Sequence, residues 1–242
     1  MKLKIKQLNN SGLAHHAVIA ILAVALVAGV GAYRVFFSGA WPSYNICYRV
    51  TTPAYTGSRI EGTNMFHKSG TQTYAFENSP AGVRYAASHA YTSIDIDVRV
   101  TKDGVPVVTH WPKPMRPANG EGFYDPQHTL STDSIVENMT FAQVSRLRNT
   151  DGKSQIYSLN YMIQVAANNK INLSIEMKTS TVGGYLNGIA EELNRENVKA
   201  YMKGPATTAS INTALTEARD HGFWTRGTEE TQGWKAPGPN CR

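Results

Sequence analysis

Two segments of the chain alternate between hydrophobic and polar residues, and this pattern predicts β-strands. From Ser93 to Val100 every second residue is apolar, and Asp95 and Asp97 stand between the apolar positions. From Ile171 to Met177 the same alternation places Glu176 on a polar face. A period of two is typical of a strand that buries one face, so each segment should present its carboxylates on the opposite side.

Further strands and helices alternate along the chain, which favours an α/β fold with a largely parallel sheet. Residues 111–139 have little periodicity and are expected to form a long surface loop. A Lys-Asp-Gly turn at 102–104 should join two neighbouring strands. The sequence predicts further strands at Thr63–His67, Val105–His110, Val198–Met202 and Gly222–Arg226, and helices at Asn78–His89, Thr140–Leu147, Leu159–Asn168, Gly184–Asn194 and Ile211–His221. The first of these helices should open with Asn78 or Ser79 as its N-cap and Pro80 in its first turn.

The N-terminal segment holds the longest apolar run. Ala17 to Tyr33 carries no charge and would span ~25 Å as a helix, and Val35 to Phe37 extend it. Three lysines within residues 1–16 favour a cytoplasmic N-terminus. We therefore expect a transmembrane anchor over 17–37, a linker over 38–62 and a domain over 63–242 on the extracytoplasmic side. A cleaved signal peptide, which would make the domain secreted, is the alternative.

Charge and cysteine content narrow the function classes. The formal net charge is +6, but residues 1–40 hold four basic and no acidic residues, so the other 20 basic and 18 acidic residues leave only +2. This balance disfavours a nucleic-acid-binding surface. The two cysteines, Cys47 and Cys241, either pair in an oxidising compartment or are unrelated thiols.

Asp95 and Asp97 are the first candidates for chemistry. Adjacent carboxylates on one face repel each other unless a cation neutralises them, and Ca²⁺ or Mg²⁺ suits oxygen ligands. Two ordinary surface aspartates are the alternative. His67, His110 and Glu176 close other predicted strands. In a parallel α/β architecture such strand ends gather on one face, where active sites form.

These residues belong to longer motifs that resemble the opening of the glycerophosphodiester phosphodiesterase family, part of the phosphatidylinositol-phosphodiesterase-like TIM-barrel superfamily. The order and spacing of the motifs carry the resemblance, which covers about residues 63–178. The motifs are His67-Lys68-Ser69-Gly70, Phe76-Glu77-Asn78-Ser79, Ile94 to Val98, Thr101 to His110 and Ile175-Glu176-Met177-Lys178.

The resemblance implies a TIM-barrel-like (β/α)8 fold and metal-dependent hydrolysis of glycerophosphodiesters to an alcohol and glycerol phosphate. The 180 residues from 63 to 242 are fewer than the ~250 of a typical barrel, so a shortened C-terminal half is expected. The implied roles are general acid and base for His67 and His110, divalent-metal ligands for Asp95, Asp97 and Glu176, phosphate contacts for Lys68 and Lys178, and a supporting role for Glu77.

Three positions depart from the family pattern. Asp95 stands where the family usually has Glu, Lys68 where it has Arg, and Trp111 where an Asp commonly follows the second histidine. Two other functions therefore stay open. One is a sphingomyelinase D-like or lysophospholipid phosphodiesterase that keeps the same site. The other is a catalytically degenerate barrel that binds a ligand or a partner in the cell envelope.

Overall fold

The structure is a computed structural model that describes residues 54–56, 65–66, 77–113, 122–131, 134–149, 152, 154–204, 208–227 and 234–237. The predicted anchor over 17–37, Cys47, Cys241, His67 and Lys68 lie outside these residues, and so does the predicted linker apart from residues 54–56. Within the described ranges, no helix is long and apolar enough to cross a membrane.

The described residues form one large mixed sheet with helices packed against it. The strands are β1 (Met65–Phe66), β2 (Ser93–Val100), β3 (Pro106–Val108), β4 (Phe123–Tyr124), β5 (Arg148–Asn149), β6 (Tyr157–Ser158), β7 (Asn172–Met177), β8 (Ala200–Gly204) and β9 (Thr225–Gly227). The helices are α1 (Pro80–Ser88), α2 (Phe141–Val144), α3 (Leu159–Asn168), α4 (Leu186–Glu196) and α5 (Ala209–Asp220), with 3₁₀ turns at Val136–Asn138 and Ser180–Tyr185.

The main sheet has the order β6-β3-β2-β7-β8-β9, and β1 also pairs with β2. Neighbouring strands are parallel from β1 through β2, β7 and β8 to β9. Strand β3 returns antiparallel to β2, because Gly104 adopts a φ of +81° in the predicted turn, and β6 pairs antiparallel with β3. The α/β prediction is confirmed. The described residues contribute five parallel strands, against the eight of the expected barrel.

Helix α1 begins where its sequence predicts. Ser79 is the N-cap, and its hydroxyl accepts a hydrogen bond from the Gly82 backbone N–H at 3.2 Å. Pro80 occupies the first turn, where its missing N–H costs nothing. This cap fixes the start of the helix directly after Asn78, a residue of the polar site described below.

Three predicted element boundaries are wrong for local reasons. The helix expected over 140–147 ends at Val144, because the guanidinium of Arg148 donates to the backbone carbonyls of Ser145, Arg146 and Leu147. These hydrogen bonds give the three carbonyl groups partners where the helix has ended and no backbone N–H of a following turn can bond to them.

The strand expected over 198–202 forms two residues later, at Ala200–Gly204. The preceding helix was expected to end at 194 but continues to Glu196, and Asn197 terminates it in the left-handed conformation. The Val198 backbone N–H then bonds back to the Leu193 carbonyl. The shift brings Lys203 into the strand, which the sequence pattern did not predict.

The hydrophobic core lies between the helices and one face of the sheet. Alternate residues of β2, β7 and β8 meet apolar side chains from all four long helices. Each fully buried aliphatic side chain contributes about 1.5–3 kcal/mol relative to exposure. The core positions that carry the packing are Ile94, Ile96, Leu173, Ile175 and Met202 from the strands and Val83, Met162, Ile189 and Leu215 from the helices.

Candidate active site

The opposite face of the same strands carries a row of charged residues. Strand register places Asp97 beside Glu176, Glu176 beside Lys203, and Lys203 beside Arg226. Because partners in a parallel register point to the same side, the four side chains share one face. Asp95 lies one step down this face, on the same strand as Asp97. The predicted face of Asp95, Asp97 and Glu176 thus gathers charges of both signs.

One ammonium group joins two of the carboxylates. Lys178 Nζ lies 2.9 Å from Asp97 Oδ1 and also contacts Glu176 Oε1. The three side chains are mostly buried, with 16%, 9% and 11% of their surfaces exposed. Water screens such contacts weakly, so the lysine holds the two carboxylates together across β2 and β7.

A second ammonium group joins Glu176 to the other aspartate. Lys203 Nζ lies 2.7 Å from Asp95 Oδ2 and 3.0 Å from Glu176 Oε2. The hydroxyl of Ser174 donates to Asp95 Oδ1 at 2.8 Å. Glu176 is therefore shared between two lysines. Counting three carboxylates against two ammonium groups, this network of five side chains carries one net negative charge when all are ionised.

Burial and pairing act in opposite directions on the pKa values of these groups. Burial raises the pKa of Asp97, but hydrogen bonding to His110 and the charge of Lys178 hold it well below its usual range. Burial raises the pKa of Asp95, and Lys203 opposes that rise. Burial lowers the pKa of Lys203, but its two carboxylate partners raise it further. The raised pKa of Lys203 keeps its ammonium group charged at neutral pH, 2.7 Å from Asp95.

Asn78 holds Asp97 at two points. Its Nδ2 donates to Asp97 Oδ2 at 2.8 Å, and its Oδ1 accepts from the Asp97 backbone N–H at 2.9 Å. Asn78 has a φ of 55°, in the left-handed region that asparagine tolerates better than most residues. The sequence pattern suggested only an N-cap role for this residue, so its part in orienting Asp97 was missed.

His110 reaches the same aspartate from the end of β3. Its Nδ1 lies 3.3 Å from Asp97 Oδ2, and 23% of its side chain is exposed. Arg99 Nη2 donates to the His110 carbonyl at 3.0 Å, while Arg99 Nη1 pairs with Glu137 at 2.8 Å. Trp111 packs its indole ring edge-on against the imidazole, with the ring centroids 4.9 Å apart. Backbone and ring contacts therefore both hold the histidine in place.

A small cleft, with space for about one water molecule, opens beside His110. Its walls include Asn78, Trp111, Phe123 and the buried Glu77. Since 23% of its side chain is exposed, the His110 ring is accessible from solvent. Glu77 and His110 line the same cleft, and the supporting role of Glu77 stays a prediction.

The structure brings most of the predicted site residues together. Asp95, Asp97, Glu176 and Lys178 belong to the charged network and His110 contacts it through Asp97, while His67 and Lys68 lie outside the described residues. Sequence reasoning missed Lys203, a member of the network, and Asn78, which holds Asp97. Lys203 follows the predicted strand end by one residue, and extending the alternation from Met202 would have placed it on the face of Glu176.

The three carboxylates fit a divalent cation in their donor chemistry, because hard cations prefer oxygen ligands. No three acidic or histidine side chains in the described part of the chain are arranged to hold a metal ion. Lys178 and Lys203 lie instead between the carboxylates, as positive charges in the place of a cation. A divalent ion at Asp97 and Glu176, or at Asp95 and Glu176, would replace one of these ammonium contacts.

Comparison with known proteins identifies relatives of one activity. Human glycerophosphodiester phosphodiesterase 1 is 27% identical over 139 residues, which are 57% of this chain and 38% of that protein. The chain thus spans well under half of this curated relative. A crystal structure of a glycerophosphodiester phosphodiesterase from Parabacteroides distasonis is 13% identical at a TM-score of 0.50, covering 68% of this chain and 65% of that one.

A crystal structure from Silicibacter pomeroyi, provisionally assigned as a glycerophosphoryl diester phosphodiesterase, gives a TM-score of 0.53 at 20% identity. The match covers 67% of this chain and 63% of that one. At such identities the two crystal structures support the α/β barrel-like fold. The family itself follows from a sequence match over residues 67–216, more than half of the 242 residues. This chain therefore belongs to the glycerophosphoryl diester phosphodiesterase family.

Proposed function

We propose that the domain is a phosphodiesterase that hydrolyses glycerophosphodiesters to an alcohol and glycerol phosphate. One observation carries the proposal. His110 contacts Asp97, which shares Lys178 with Glu176, and the histidine opens onto a cleft. A proton-transfer group, a positive charge for a phosphate and paired carboxylates are thus collected within one network. Membership of the family supports the same reaction.

His110 is proposed to move the proton. When Nδ1 is protonated, it donates a hydrogen bond to the Asp97 carboxylate. The other ring nitrogen, Nε2, can then take a proton from a nucleophile, or, once protonated, give it to a leaving alkoxide. The charged Asp97 orients the ring and stabilises its protonated form, as carboxylates commonly do beside catalytic histidines. His67 is proposed as the second proton-transfer group, on the strength of the family motif that contains it.

Lys178 is proposed to bind the phosphate group, and the carboxylates are proposed to hold a divalent metal ion. The Lys178 ammonium lies between Asp97 and Glu176 and supplies a point charge for a phosphate oxygen. Asp97 and Glu176, together with Asp95, are the residues that would hold Ca²⁺ or Mg²⁺. When bound, such an ion offsets negative charge that develops on the phosphate oxygens.

The test is head-group release by the purified full chain from glycerophosphocholine and glycerophosphoethanolamine, with Ca²⁺ or Mg²⁺ and with chelator. His110→Ala should lower turnover by about 10²–10⁴-fold, because a general acid or base contributes about that much. His89→Ala is the matched control, since His89 is an exposed histidine at the end of α1, and it should leave turnover unchanged.

The alternative functions predict other results in this assay. A clear preference for lysophospholipids or sphingolipids would show that the proposed substrate is wrong and the proposed site is right. No turnover of any diester with any divalent ion would overturn the proposal and favour a binding module.

We also propose that residues 17–37 anchor the domain at the extracytoplasmic side of a membrane. The uncharged run and the preceding lysines support this proposal. Carbonate extraction of membranes should leave the chain in the pellet, and protease should reach the domain only from the extracytoplasmic side. Release of a shorter, soluble chain would indicate a cleaved signal peptide instead.

A further inference from the structure

Lys203 is buried among acidic groups that the proposed reaction assigns to a metal ion. Its ammonium bridges Asp95 and Glu176, and 9% of its side chain is exposed. The lysine extends from β8 directly beside Glu176, so its position follows from the strand register. A surface lysine reaches into water, whereas this one uses two of its three N–H donors on carboxylates.

The contacts of Lys203 differ from those of the neighbouring lysine. Lys178 contacts Asp97 and Glu176 and belongs to the family motif, so it is already assigned to the phosphate. Lys203 contacts Asp95 as well as Glu176, so it extends the ion pairs beyond the two carboxylates that Lys178 joins. Removing Lys203 would take one positive charge away from two mostly buried carboxylates, and buried carboxylates that lose a counter-charge attract a cation.

We propose that Lys203 is a built-in counter-ion of the acidic cluster, which competes with a divalent cation for Asp95 and Glu176 and thereby weakens metal binding. When all groups are ionised, the network of Asp95, Asp97, Glu176, Lys178 and Lys203 carries one net negative charge, and without Lys203 it carries two. A divalent ion that approaches the native site must displace the ammonium or share its carboxylates. Lys203 therefore sets how readily the site exchanges its metal, as a positioning residue that does not touch the substrate.

This inference rests on the proposed metal site, but its test does not require turnover. Calorimetric titration of Ca²⁺ and of Mg²⁺ into the full chain measures binding directly. Lys203→Met removes the charge and keeps most of the side-chain volume. It should tighten binding of at least one of the two ions by about tenfold or more, because a single charge at this distance has a large effect in a buried site. Lys203→Arg keeps the charge and should bind no more tightly than the native protein.

The double variant Asp95→Asn/Lys203→Met is the matched control. It removes the pair together and restores the native net charge, so its metal affinity should return to within a few-fold of the native value. A purely structural role for Lys203 would instead weaken metal binding in both the single and the double variant. Equal or weaker binding by Lys203→Met than by the native protein would overturn the proposal.

A second neutral variant, Lys203→Gln, guards against misfolding, and circular dichroism with and without Ca²⁺ monitors the fold. A counter-ion can be replaced by the metal, so a variant that unfolds without Ca²⁺ should refold when Ca²⁺ is added. Failure of both neutral variants to fold in saturating Ca²⁺ would also overturn the proposal. If metal binding tightens as expected but the native chain hydrolyses no diester, the counter-ion role stands and the proposed function fails.

Discussion

The two faces of strands β2 and β7 differ in what their residues do. On one face Ile96 and Ile175 are fully buried against the helices. On the other face their immediate neighbours, Asp97 and Glu176, join the charged network. Alternate residues of the same strand thus pack the core or join the proposed site, which would separate stability from activity by one position in the sequence.

The two faces also depend on different physical terms. The apolar face gains from burial and close packing, which tolerate substitutions that conserve volume. The polar face depends on each buried charge having a partner, since an unpaired buried charge costs more than a lost contact. Substitutions at neighbouring positions should therefore have different signatures.

The largest effect on stability should come from the apolar face. Ile175→Ala should lower the free energy of unfolding by about 2–5 kcal/mol, because it removes buried methyl groups and leaves a cavity. Urea denaturation measures this loss. Ile175→Val is the graded control, with an expected loss of about 0.5–1.5 kcal/mol. Turnover per folded molecule should stay near the native value in Ile175→Val. A large loss of turnover in this variant would show that the two faces do not act independently.

The adjacent residue on the polar face should show the reverse pattern. Glu176→Gln keeps the shape of the side chain but removes the charge that both lysines share. Stability should fall by about 1–3 kcal/mol, as for a hydrogen bond to a charged group. Turnover should fall by about 100-fold or more, because the carboxylate is a proposed metal ligand. Native turnover by this variant would show that Glu176 is not part of the active site.

Asn78→Ala should have a smaller effect on stability, of about 1–2 kcal/mol, since it loses two bonds to Asp97 and strains a left-handed backbone. Turnover should also fall about tenfold, because Asp97 is no longer held for His110. Asn197→Ala is the matched control: Asn197 has the same left-handed backbone at the end of α4. Asn197→Ala should lose stability and keep turnover. An equal loss of turnover in the two variants would show that Asn78 matters only for its backbone conformation.

The smallest effect concerns Asp125, a carboxylate held by backbone N–H groups instead of lysines. Burial raises its pKa, but hydrogen bonds from Gln127, Leu130 and Thr129 lower it overall. A lowered folded-state pKa gives stability above the unfolded value of about 3.9, which is lost as pH falls through the folded pKa. The stability gap between native and Asp125→Asn should be constant from about pH 7 to 5 and shrink below about pH 4. A gap that widens on acidification would contradict this account.

The sequence predicted those parts of the fold and the site that depend on local periodicity. The alternation in β2 and β7 identified both faces, and Ser79 with Pro80 identified the start of α1. The end of α2 was predicted wrongly because a side-chain contact from Arg148 decides it. The start of β8 was predicted wrongly because the left-handed Asn197 decides it. Neither feature repeats with the period of a helix or a strand.

The partners of the charged residues could not be predicted either. Lys203 joins the site because β8 pairs with β7 in a register that brings it beside Glu176. Asn78 joins it through a bend before α1 that turns its side chain onto Asp97. Both depend on how distant segments meet in the fold, whereas the carboxylates were visible as a pattern within one strand.

The most direct test of the separation of faces is choline release from glycerophosphocholine, in Ca²⁺ or Mg²⁺, by Ile175→Val and Glu176→Gln, each corrected for its folded fraction. The account predicts near-native turnover for Ile175→Val and a loss of about 100-fold for Glu176→Gln. Equal turnover by the two variants, or no turnover by the native chain, would contradict it.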